Sequence, residues 1–94
     1  SGKPRPALLV QANRWLQGHP SVTLCPLTST LLNAPLVRIP VQPSGTNGLQ
    51  KPSQLMADKL FTVPTAAIGS PVGHLEETAL AELDFALRSW LQLA

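Results

Sequence analysis

Two cations alternate with two prolines near the start of the chain, in Lys3-Pro4-Arg5-Pro6, and three hydroxyls follow one another in Thr28-Ser29-Thr30. A guanidinium offers donors in a planar fork that fits a phosphate. Flanking prolines restrict the backbone carrying it, so less entropy is lost when an anion binds. Hydroxyls at the end of an apolar run either satisfy local backbone groups or donate to such an anion. Asp58-Lys59 is a further pair able to touch a ligand or simply to face water. His19, next to Pro20, and His74 fall in loops, where a solvated imidazole is the ordinary outcome. Cys25, the one cysteine, lies in an apolar run with no cation beside it, which predicts a small core residue and not a reactive thiol. One thiol and two histidines give no metal-ligand spacing, so no metal and no other cofactor is expected. The chain also has no nucleophile elbow and no phosphate-cradling glycine loop.

These groups need elements to hold them. Ninety-four residues suffice for one domain, expected over 1–94. With 44% hydrophobic and 13% charged residues the chain is too apolar for intrinsic disorder. So few charges on so small a domain imply that a partner or a second copy covers part of the surface. No run approaches the roughly 18 apolar residues of a membrane helix, and the opening is no signal peptide, so a cytoplasmic protein with no membrane association is expected. A net charge of +2 is compatible with a polyanionic partner without demonstrating one.

Prolines and glycines punctuate the chain up to Gly73 and are absent beyond it. Residues 7–11 and 22–27 read as short buried strands, with a loop between them anchored by Trp15. A third strand is expected over 36–41, with Arg38 on the opposite face from Val37 and Ile39, and Pro40 argues for an edge position. Asn47-Gly48 predicts a tight turn of positive φ. Residues 54–58 then return as a strand that runs on, with a kink, to Val63, and 68–73 form one more extended piece. From Leu75 the period changes: Leu80, Leu83, Leu87 and Trp90/Leu91 make one stripe of a helix, with Glu76 and Glu77 at its start and Arg88 near its end. Short strands followed by one amphipathic helix predict a mainly β fold, a small barrel capped by a C-terminal α-helix.

Taken in order, Gly2 to Gln11, Cys25-Pro26-Leu27-Thr28-Ser29-Thr30, Asn47-Gly48-Leu49-Gln50-Lys51-Pro52-Ser53, Asp58 to Val63 and the closing helix resemble the MazF/PemK toxins of bacterial toxin–antitoxin pairs. The resemblance covers essentially the whole chain. It implies an SH3-like barrel of the CcdB/MazF/PemK type, a homodimer, a cognate antitoxin as partner, and sequence-specific, metal-independent cleavage of single-stranded RNA to a 2′,3′-cyclic phosphate and a 5′-hydroxyl. The family's catalytic arginine falls on Arg5 and its catalytic threonine on Thr28. Lys3, Trp15, Ser29 and Lys59 are further candidates for RNA contacts. An arginine hardly deprotonates, so this scheme leaves the general base unassigned. Relatives carry a first strand ahead of the Lys-Pro-Arg-Pro segment, which this sequence lacks, so the chain reads as N-terminally truncated relative to the family. Two alternatives share the fold: a CcdB-like gyrase poison and a catalytically inactive interaction barrel. The ending Trp90-Leu91-Gln92-Leu93-Ala94 departs from the Trp-Gly-Ile close of the CcdB type and favours the nuclease.

Overall fold

The computed structural model describes residues 5–10 and 17–93. It is a bent five-stranded antiparallel sheet, open among the described residues, with one helix across its inner face. The strands are β1 (Ala7–Leu9), β2 (Ser21–Thr28), β3 (Arg38–Val41), β4 (Ser53–Met56) and β5 (Phe61–Pro64), and the helix is α1 (Glu77–Trp90).

β2 is the spine. Its side chains alternate between buried and half-buried, except that Leu24 and Cys25 are both buried in succession, which marks where the strand changes face. Before that point β5 pairs with it, Ser21 opposite Pro64 through Leu24 opposite Phe61. Beyond it β4 takes over, with Leu27 opposite Leu55 and Thr28 opposite Gln54. β1 runs along the other side of β2, and β3 completes the β4 arm. Pro40 therefore sits on an outer strand, as its missing N–H requires. The kink expected near Asp58 is a 3-10 helix, Ala57–Lys59, that carries β4 into β5.

The core joins Cys25, Leu27, Ile39, Val41, Leu55 and Ala57 of the sheet side to Ala79, Leu83 and Ala86 of α1. Burying each leucine or isoleucine contributes about 1.5–3 kcal/mol. The helix does not use the whole stripe that its leucines suggest. Leu83 is buried and Leu87 half-buried, but Leu80, Trp90 and Leu91 remain exposed. The contact line runs instead through Ala79 and Ala86, whose small side chains let the helix settle closely on the sheet.

The connection 42–52 is no two-residue hairpin. Of its Asn-Gly pair only Gly48 has positive φ, +69°. Asn47 is buried and acts as a hub: its Oδ1 accepts from the Ser44 and Leu49 N–H groups, and its Nδ2 donates to the Gln42 carbonyl and to Glu76 Oε1. Ser44 Oγ donates to Glu76 Oε2 at 2.6 Å. Residues 68–73 form no strand. They follow a 3-10 helix, Thr65–Ala67, as a strap fastened to the turn where the His74 N–H donates to the Thr46 carbonyl.

Glu76 thus ties the helix entrance to the turn, and the Ser44 hydroxyl, helped by Asn47, holds its carboxyl below the usual 4.5. The folded value is the lower one, so the stabilisation is complete above pH 4.5 and disappears as pH falls through the folded pKa. Wild type is expected to outlast Glu76→Gln in urea at pH 7, with the gap closing as pH falls below 4.5. A gap independent of pH would mean that the carboxylate's charge contributes nothing.

Candidate active site

β1 meets β2 with Ala7 opposite Pro26, Leu8 opposite Cys25 and Leu9 opposite Leu24. The Leu27 N–H donates to the Pro6 carbonyl at 3.3 Å, so the same register continues past the strand end. Continued by one residue, that register sets Arg5 level with Thr28. Directly opposed residues of an antiparallel pair share a face, with Cβ atoms roughly 5 Å apart. Because Leu27 and Leu55 point inward, Thr28 and its other neighbour Gln54 point outward, away from α1. Arg5 is exposed and Thr28 half-buried.

Local bonds prepare the hydroxyl. Thr28 Oγ1 accepts the Thr30 N–H at 3.1 Å, which fixes the oxygen and leaves its own proton free of any described acceptor. Arg5 takes part in neither ion pair of the described residues, Lys59 with Asp58 and Arg88 with Asp84. Its guanidinium stands at the surface without a carboxylate to neutralise it.

Of the other candidates, Ser29 is exposed immediately after Thr28. Lys59 lies on the 3-10 helix after β4, its ammonium 3.6 Å from Asp58. Lys3 and Trp15 lie outside the described residues. Burial pushes the Cys25 thiol up to about 11 and its Sγ–H donates to the Met56 carbonyl at 3.5 Å, so Cys25 is a packed core residue, as expected.

Residues 1–91 match the PemK-like, MazF-like toxins of type II toxin–antitoxin systems. The chain belongs to this family. A probable endoribonuclease MazF from Mycolicibacterium smegmatis is 42% identical over 94 residues, covering all of this chain and 85% of the relative. Among solved structures the Mycobacterium tuberculosis toxin MazF-mt6 superposes with a TM-score of 0.85 at 26% identity, covering all of this chain and 92% of that one. A mycobacterial endoribonuclease in complex with its cognate antitoxin has the same fold, with a TM-score of 0.81 at 21% identity and coverage of 100% and 86%.

In this toxin two more side chains reach the same outer face, and sequence reading did not assign them to the site. Gln54 Oε1 accepts the Leu32 N–H at 3.1 Å and an Arg38 Nη1 proton at 3.0 Å, and Nε2 donates to the Leu32 carbonyl at 2.9 Å. Arg38 Nη1 also donates to the Thr30 carbonyl at 3.2 Å. A signal for a basic face does exist in the sequence. No acid precedes Asp58, so the chain carries +5 through Ala57 and −3 beyond it, with four of its five acids between Glu76 and Asp84. The total of +2 conceals that separation. Among the described residues no helix is long and apolar enough to cross a membrane.

Proposed function

We propose that the toxin is an endoribonuclease that cuts single-stranded RNA by promoting attack of a 2′-hydroxyl on the adjacent phosphorus. The P–O5′ bond breaks as the O2′–P bond forms, the 2′-hydroxyl gives its proton to water and the leaving O5′ takes one from water, so the products are a 2′,3′-cyclic phosphate and a 5′-hydroxyl. The observation that supports this reading is the β1–β2 register, which, continued one residue past the Leu27–Pro6 bond, sets Arg5 level with Thr28. As negative charge builds on the nonbridging oxygens, the Arg5 fork neutralises it and the Thr28 hydroxyl donates to one of them. Thr28 needs no reorganisation to do so, because the Thr30 N–H already holds its oxygen. Ser29, Lys59, Lys3 and Trp15 are further proposed RNA contacts.

The relatives are named endoribonucleases, and one of them is seen with its antitoxin. Exposed apolar groups here, among them Leu36, Phe85 and Trp90, support coverage by a second copy or by an antitoxin. A cytoplasmic homodimer restrained by a cognate antitoxin is the proposed cellular form.

The test is incubation with a long unstructured RNA in EDTA, followed by mapping of cut positions and end groups. Defined cuts ending in cyclic phosphate and 5′-hydroxyl are expected. Absence of cutting in EDTA that returns with added magnesium would overturn the metal-independent scheme, and 5′-phosphate ends would overturn the 2′-hydroxyl as nucleophile.

A further inference from the structure

Arg38 occupies the half-buried outer side of β3, where Met56 lies opposite it, and its side chain leans over Gln54. Both of its known bonds, to the Thr30 carbonyl and Gln54 Oε1, use Nη1. Among the described residues nothing accepts from Nε or Nη2. That edge is the one from which a guanidinium gives two parallel N–H donors to a phosphate. Among the described residues no carboxylate competes for it, since all five acidic side chains are described and neither ion pair includes Arg38. Gln54 keeps the head in place by accepting from Nη1 while it grips both backbone groups of Leu32.

The rung that starts at Arg5 and crosses Thr28 reaches Gln54 two strand spacings away, about 10 Å. A stacked strand advances only about 3.4 Å per nucleotide, so the Arg38 head meets a different phosphate from the one between Arg5 and Thr28. We infer that Arg38, oriented by Gln54, is a second phosphate-binding site that fixes the path of the RNA strand across the sheet beyond the scissile position. This inference rests on the site proposed above. Arg38 binds and aligns the strand there and does not touch the reacting atoms.

The probe is a single-stranded oligodeoxynucleotide copy of the mapped cut sequence, which lacks the 2′-hydroxyl and so binds without being cut. Its affinity is measured over a range of salt for wild type, Arg38→Gln and Arg38→Lys, and RNA cleavage by the same proteins is followed in parallel. A lost phosphate contact lowers the slope of log affinity against log salt by about 0.7 for single strands. Arg38→Gln is expected to show that drop together with roughly tenfold weaker binding. In cleavage it raises KM and leaves kcat within a few fold. Arg38→Lys keeps the slope but loses part of the affinity, because the fork is gone while the charge remains. A wild-type slope in Arg38→Gln overturns the inference, as does a fall in affinity that Arg38→Lys shares in full, since either marks a purely structural link to Thr30. Failure of the underlying site is distinguishable, because it shows as unchanged RNA cutting by Arg5→Ala, whatever Arg38 does to the slope.

Discussion

Arg5→Ala and Thr28→Ala are each expected to slow single-turnover RNA cleavage by about a hundred- to a thousandfold, the loss typical of deleting one preorganised donor to a developing oxyanion. Stability should scarcely change. Arg5 is exposed, and Thr28 gives up only an exposed bond to the Thr30 N–H, which water replaces. Conservative variants separate the roles. Arg5→Lys keeps the charge without the fork and should recover only part of the rate, whereas Thr28→Ser keeps the donor and should recover most of it. If both groups act on one phosphate, the double variant loses less than the product of the single losses, because each donor is worth less once the other is gone. Full-rate cutting by either alanine variant removes that residue from the proposed site. Losses that simply multiply would place the two side chains on separate phosphates.

That rung was partly legible from the sequence. Local signals marked β1 and β2 as short apolar runs, and Pro40 marked an edge, because those depend on a few neighbouring residues. The opposition of Arg5 and Thr28 depends on register, which follows from the buried set Cys25 and Leu27 and from the Leu27–Pro6 hydrogen bond, and no local pattern encodes it. The resemblance, and not spacing, drew the two residues together. Gln54 and Arg38 escaped for a related reason: each forms its polar contacts with residues at least eight positions away, and neither is of unusual type for a strand. Residues 68–73 read as one more extended piece, and local pattern could not show that the strap they form bonds to a turn and not to a sheet. The helix stripe followed leucine periodicity, while the packed line follows alanines, since close approach rewards small side chains over large ones.

The turn beneath that strap is where a single methyl group should do the most damage to the fold. Gly48 has φ +69°, and a Cβ built on it would lie 2.2 Å from the Val72 carbonyl oxygen. Gly73 answers from the other side, where a Cβ would come within 2.4 Å of the Thr46 carbonyl. Two backbone segments are therefore pressed together with no room for a side chain, and both are anchored: the turn by Asn47 and Ser44, the strap by the His74 N–H on Thr46. Gly48→Ala combines left-handed strain with a backbone overlap that no rotamer relieves, and a loss of about 3 kcal/mol is expected. Gly18→Ala is the matched control. Its φ is +78° but among the described residues nothing lies within 4 Å of the added carbon, so strain alone should cost it about 1 kcal/mol. Urea unfolding of the two variants isolates the overlap as the difference between them, and equal midpoints would show that the strap moves aside freely. The consequence reaches the site as well. Residues of the turn and strap, including Asn47, Leu49 and Val72 to Leu75, line a cavity of about 50 Å³ together with Pro6, Ala7, Leu8 and Leu27. That is the underside of the same β1–β2 pairing that sets Arg5 against Thr28, so forcing the strap outward loosens the support of the arginine along with the core.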